Sequence, residues 1–157
     1  MKKRIRTAAV CLSQGKILIV RLKDPTSGAE FLTPPGGGIE VGESAARACE
    51  REALEETGFR VRTVKESARI LNYVFFWDGV WRDCETHLFV TELLEPYREP
   101  GVIEDAAYQI DVLWLPLEEL SRELAFHVIL QDGVIKSVEA ALSKIQPSVQ
   151  GPAPKSG

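Results

Sequence analysis

The chain opens on two apolar runs of strand-forming residues, Ile5–Leu12 and Lys16–Leu22, and the Ser13-Gln14-Gly15 between them predicts a hairpin. Asp24–Gly28 reads as a loop, and Phe31–Thr33 as a short strand stopped by Pro34-Pro35. After Gly36-Gly37-Gly38 and Ile39–Val41 the pattern changes to a helix from about Ser44 to Thr57. Ser44 is its N-cap and Gly58 stands just past its end. Val61–Ser67 and Arg69–Phe76 read as strands, and Asp78-Gly79 turns the second into a strand from about Val80 to Leu94. Glu95–Ile110, with Pro96, Pro100 and Gly101, reads as a long surface loop. Asp111–Leu115 is a strand leading into a short helix, Leu117–Leu124. Val134, Val138, Ala141, Leu142 and Ile145 then recur at helical spacing, so a last amphipathic helix should cover the sheet and end before Pro147. Strands around one central helix, with further helices near the C-terminal end, imply a mixed α/β layered fold.

Composition narrows the class. A length of 157 residues suits one domain, expected over residues 1–146, with 147–157 as a flexible tail that has little to bury. The content of 45% hydrophobic and 27% charged residues is that of a globular chain, which excludes wholesale disorder. The longest apolar run, Val112–Leu117, is far short of the ~18–20 residues that span a bilayer, so no membrane partner is expected. A net charge of −4 argues against a general nucleic-acid binder. Cys11, Cys49 and Cys84 form no C-x-x-C pair, and the chain has only two histidines, His87 and His127, so neither a disulfide framework nor a zinc site is expected. Met1-Lys2-Lys3-Arg4 imitates the start of a signal peptide, but the apolar stretch behind it is too short. The expectation is a cytoplasmic protein with reduced thiols.

Charge becomes informative once it is located. Between Glu40 and Glu56 stand glutamates 40, 43, 50, 52, 55 and 56 against Arg47 and Arg51, so this window carries the whole net charge of the chain. Glu52, Glu55 and Glu56 fall at i, i+3 and i+4, on one face of the predicted helix, where like charges repel. Two of them lie in the last turn, where the helix dipole also disfavours them. Standing alone, such a triad reads as a solvated acidic face. Here a glycine-rich turn precedes it, and that backbone can approach a ligand closely. Glu43 and Arg51 can pair near the base of the helix and hold the turn against it. Carboxylate oxygens beside an open backbone suit a hard divalent cation and substrate phosphates, so the window reads as a metal-dependent phosphate-transfer site. It does not fit a P-loop, because Gly36-Gly37-Gly38 lacks the following Gly-Lys-Ser/Thr.

The run Gly37–Phe59 resembles the Nudix box: glycine, five residues, glutamate, seven residues, then Arg-Glu-apolar-any-Glu-Glu-any-Gly-apolar. Gly37, Glu43, Arg51-Glu52-Ala53, Glu55-Glu56 and Gly58-Phe59 fill every specified place, Ala53 being small where the family more often has a bulkier residue. The resemblance implies an α/β/α sandwich with a mixed sheet, and hydrolysis of a pyrophosphate bridge in a nucleoside diphosphate linked to another group. The substrate classes it leaves open are nucleotide sugars, ADP-ribose and nucleoside triphosphates. It further implies Mg²⁺, with Mn²⁺ as a substitute, held by Glu52 and Glu56, with Glu55 adjacent and the Gly37 carbonyl completing the site. Glu43 and Arg51 would be structural partners. The family draws its general base from the box, here Glu52 or Glu55, or from a downstream loop, where Glu104 and Asp105 stand. Glu85, on a strand, is a further candidate at the substrate.

Arg21 and Lys23 can meet phosphates just before the glycine turn, or be simply solvated. Trp77 and Trp81 flank the Asp78-Gly79 turn and can pack, stack on a base or close a homodimer contact. The rival to an enzyme is a non-catalytic Nudix-fold module that binds a nucleotide as a regulator, although such a module need not keep all three carboxylates.

Overall fold

The computed structural model describes residues 2–100, 108–124 and 127–150, the side chains of 145–150 excepted. Its strands are β1 (Lys3–Ser13), β2 (Lys16–Lys23), β3 (Glu30–Thr33), β4 (Gly36–Gly38), β5 (Val61–Thr63), β6 (Arg69–Trp77), β7 (Val80–Leu93) and β8 (Gln109–Pro116). Its helices are α1 (Ala45–Thr57), α2 (Leu120–Glu123) and α3 (Val128–Gln150), with single 3-10 turns at Lys65–Ser67 and Leu117–Glu119. No helix among the described residues is long and apolar enough to cross a membrane.

Both predicted hairpins form through two-residue turns. Gln14 and Gly15 have φ of 51° and 75°, and Asp78 and Gly79 of 51° and 73°. That backbone matches the right-handed twist of the strands it joins. The buried Asp24 carboxylate accepts from the N–H groups of Thr26 and Ser27, and from that of Asp78. It thereby ties the loop after β2 to the β6–β7 turn.

β1 is the axis of the mixed sheet. It runs parallel to β7 from Lys3 opposite Asp83 to Cys11 opposite Thr91, and antiparallel to β4, with Thr7 opposite Gly37. Its far end pairs with β2, which carries β3 on one side and β8 on the other. Thr7–Cys11 are buried on both faces. Ala8 and Val10 join one apolar cluster with Ile17, Ile19, Leu88, Leu130, Val134 and Val138. Ala9 and Cys11, the intervening positions, join the other with Cys49, Ala53, Phe59 and Phe89. Period-two alternation on one strand thus feeds α3 on one side and α1 on the other. This is the α/β/α layering that the sequence led us to expect.

Three boundaries differ from the sequence reading. Val61–Ser67 is a strand only to Thr63, because Lys65–Ser67 tighten into a 3-10 turn in which Ser67 Oγ donates to the Val64 carbonyl. The short helix at Leu117–Leu124 is split into a 3-10 turn and one α turn. The last helix passes the expected stop at Pro147 and continues to Gln150, since a proline deletes one backbone donor but does not bar the next residues from helical dihedrals. Residues 151–157 of the expected tail, and Glu104 and Asp105, lie outside the described residues.

Candidate active site

The α1 helix begins where Ser44, in extended conformation, accepts from the Arg47 N–H, and it ends at Gly58, which is left-handed at φ 79° and donates to the Leu54 carbonyl. Those two caps fix which residues face β4. Glu56 Oε accepts from the Gly36 N–H at 2.6 Å. The Glu52 carboxylate lies over Gly37 so closely that a Cβ there would sit 2.5 Å from it. Gly36 has a different neighbour: a Cβ there would meet the Thr7 carbonyl oxygen at 2.0 Å. Adjacent glycines therefore serve two functions, one admitting the next strand and the other admitting a carboxylate.

Arg51 organises the acidic side. Its Nε and Nη2 donate to the two Glu43 oxygens at 2.7 and 2.9 Å. Nη1 is shared between Glu52 at 2.8 Å and Glu55 at 3.1 Å, and Nη2 also reaches the Gly38 carbonyl at 3.0 Å. The guanidinium holds the Glu43 carboxyl well below the usual range, at about 2. Glu56 lies on the other side of that pattern. Burial pushes its carboxyl up to about 8, reinforced by Glu52 and Glu55 and opposed by the Gly36 N–H and Arg6. Burial likewise raises Glu52, against the pull of Arg51.

Whether these residues suit a metal follows from that electrostatics. Two carboxylates that burial drives towards their neutral form, set against a backbone position with no side chain, are a hard-oxygen donor set. A cation at that point would return them to the ionised form. Among the described residues no three acidic, His or Cys side chains already converge as a closed cage. Two carboxylates and a backbone carbonyl suit a divalent cation that completes its shell with water and substrate phosphate.

Glu52, Glu55 and Glu56 line one end of a cleft of about 360 Å³ together with Gly36, Gly37 and Gly38. Its other lining residues include Arg4 and Arg6 of β1, Arg82 and Thr86 of β7, Tyr73, Phe75 and Trp77 of β6, and Tyr108. Trp77 packs against Phe31 and, edge-on, against Tyr108, with ring centroids 6.3 and 6.1 Å apart. Trp81 is instead exposed on the far side of the turn, against Phe76.

A family model, the NUDIX domain, matches residues 2–136. The chain belongs to the NUDIX domain family. A Mycobacterium tuberculosis protein (strain CDC 1551 / Oshkosh) named as the mutator MutT4 is 33% identical over 93 residues, which are 59% of this chain and 35% of that protein. The chain thus spans about a third of the length of that relative. A NUDIX hydrolase from Nitrosomonas europaea superposes with a TM-score of 0.69 at 25% identity, covering 89% of this chain and 90% of the other. An Ap4A hydrolase from C. elegans has the same fold, with a TM-score of 0.66 at 17% identity over 92% of this chain and all of the other. These neighbours share the fold, and the family match covers most of the chain.

Among the residues singled out in the sequence, the Nudix box brings Gly37, Glu52, Glu55 and Glu56 to the cleft, and joins Glu43 to Arg51 behind them. Arg21, Lys23 and Glu85 do not line it. Val20 and Leu22 are the β2 positions that do, and Arg21 at an intervening position points to Glu30, 3.9 Å away. On β7 the lining residues are Arg82 and Thr86, whereas Glu85 Oε2 lies 2.8 Å from His87 Nε2. The sequence reading missed Arg4, Arg6, Arg82 and Tyr108. A signal for the first two existed: Arg4 and Arg6 stand two apart, in phase with the core residues Ala8 and Val10.

Proposed function

We propose that the chain is a Mg²⁺-dependent pyrophosphohydrolase, with Mn²⁺ as a substitute, that cleaves the pyrophosphate bridge of a nucleoside diphosphate linked to another group. The observation that carries this reading is the seating of Glu52 and Glu56 on the Gly36–Gly37 backbone, in a cleft that basic and aromatic side chains also line. Glu52 and Glu56, with the Gly37 carbonyl, would hold the cation. Bound there, it would neutralise phosphate oxygens and acidify water.

The chain's own residues do the rest. Arg51 fixes the direction of Glu52 and Glu55 while itself anchored by Glu43 and the Gly38 carbonyl. Trp77 and Tyr108 offer ring faces and edges to a base or sugar. The general base is proposed at Glu104. A cytoplasmic location is proposed with it, in keeping with the free, buried thiols of Cys11, Cys49 and Cys84.

The test is the appearance of nucleotide cleavage products, separated by chromatography, from a panel of nucleoside triphosphates, nucleotide sugars, ADP-ribose and dinucleoside polyphosphates, with Mg²⁺, with Mn²⁺ and with excess chelator. Metal-dependent turnover of at least one class is expected. Nucleotide binding without turnover across the panel would favour the regulatory module instead.

A further inference from the structure

Three guanidinium groups share one face of the sheet. Arg4 and Arg6 are two apart on β1, and Arg82 lies on the neighbouring parallel strand β7, where Cys84 is opposite Arg4 and Thr86 opposite Arg6. Phe75 of β6 is opposite Arg82 from the other side. Among the described residues no carboxylate lies within ion-pair distance of any of the three. The Nε atoms of Arg6 and Arg82 are buried with no hydrogen-bond partner, an arrangement that folded proteins rarely leave without a purpose. Desolvation of its guanidinium, followed by the neighbouring Arg6 and Arg82, lowers the pKa of Arg4, although the residue as a whole is exposed.

The cluster also has a direction. Arg6 is opposite Gly38 across the β1–β4 ladder, one residue from the Gly37 on which Glu52 rests. Arg4, Arg6, Gly38 and Arg82 continue into a second recess of about 480 Å³, whose other walls include Lys2, Lys3 and Trp81. The basic wall therefore begins beside the glutamates and leads away from them.

We propose that Arg4, Arg6 and Arg82 form an anion subsite for a phosphate that lies outside the bridge being cut, so that the preferred substrates carry at least one phosphate more than a nucleotide sugar does. This rests on the hydrolase reading for the cut itself. The scissile bridge needs the acidic end of the cleft and its cation, which leaves the guanidiniums an anion of their own. Guanidinium forks pair with phosphate oxygens bidentately, and the two vacant Nε donors are of the kind such pairing uses. The extra phosphate is either the next unit of a polyphosphate chain or a monoester elsewhere on the molecule, and the two sources share this chemistry.

The experiment has a binding arm and a turnover arm. In chelator, inorganic tripolyphosphate should bind the full chain by calorimetry, at least 10-fold more weakly to Arg4→Gln and to Arg82→Gln, and no more weakly to Glu52→Gln. With Mg²⁺, the ratio of kcat/KM for a nucleoside triphosphate to kcat/KM for a nucleotide sugar should fall at least 10-fold in Arg4→Gln, through KM. Arg4 is exposed, so this variant keeps the fold even if Arg82→Gln does not, and circular dichroism checks both. A nucleoside diphosphate with a 3′-phosphate, compared with the triphosphate, tells a monoester from a chain. Equal tripolyphosphate binding by wild type and Arg4→Gln, or an unchanged ratio, overturns the subsite. Arginine-dependent binding with no turnover of any nucleotide leaves the subsite standing and overturns the hydrolase reading.

Discussion

Arg51 engages Glu43, Glu52 and Glu55 at once, and the consequences differ from one partner to the next. Glu43 is held by Arg51 and by the Glu40 N–H, behind the cleft, so its effect should be read in stability. Its folded pKa of about 2 lies below the ordinary 4.5, so the pair's contribution is complete above about pH 4.5 and is lost as the pH falls towards 2. Glu43→Gln should therefore unfold at a lower temperature than wild type at pH 7, and the two melting curves should converge on acidification. A gap that stays constant from pH 7 to pH 3 counts against the ion pair as the cause. Glu52 and Glu56 should be read in catalysis. Their glutamine variants keep size and helix propensity, so the fold should survive while turnover drops 100-fold or more, about 2.7 kcal/mol in the barrier. Wild-type rates in either variant would remove that glutamate from the site.

The β4 strand carries an equally sharp contrast in three residues. Gly36→Ala drives a Cβ into the Thr7 carbonyl, a backbone atom at 2.0 Å that cannot swing aside. Overpacking of that kind costs about 1–3 kcal/mol, so the thermal midpoint should fall by about 3 °C or more. Gly37→Ala meets only a side-chain end, the Glu52 carboxylate, which can turn aside by giving up its bond to Arg51, so the midpoint should hold within about 2 °C while turnover falls at least 10-fold. If the two variants behave alike in melting and in rate, adjacent glycines do not divide the work as the geometry says. This element also shows what a sequence displays of itself. Spacing on α1 placed the glutamates, because a helix is a local structure and i, i+3, i+4 is its ruler. The glycine turn was legible as a place of close approach, but nothing in the glycine run says which neighbour each one admits. That depends on the register of β4 against β1, settled by residues thirty positions away. The same limit explains Arg21 and Lys23. They are near the glycines along the chain, yet the β2 residues that line the cleft are Val20 and Leu22.

At the scale of the molecule the cleft is a meeting of segments from Arg4 to Leu130, which is why its acidic end was legible from one motif and its basic wall was not. The base belongs to this scale too. The two flanks of the stretch that contains Glu104 are both fastened to the C-terminal end of α1. Upstream, Arg98 Nε donates to the Thr57 carbonyl, the Glu99 N–H donates to the Gly58 carbonyl, and Arg60 pairs with the Glu99 carboxylate. Downstream, Gln109 Nε2 donates to the Glu56 carbonyl at 2.7 Å, and Tyr108 lines the cleft. Both described flanks are thus fastened at the turn bearing Glu55 and Glu56, which favours the proposed base at Glu104. The box glutamates are poorer acceptors, since Glu52 and Glu55 are tied to Arg51 and those that hold a cation must stay ionised for it. Glu104→Gln should then lower kcat by roughly 10²–10⁴, leave KM within a few-fold and leave the Mg²⁺ dependence of nucleotide binding unchanged. Removal of the base also predicts a lost acidic limb in the pH profile of kcat, which a merely structural glutamate would not take away. Normal turnover in Glu104→Gln, with the acidic limb abolished instead in Glu55→Gln, moves the base into the box helix.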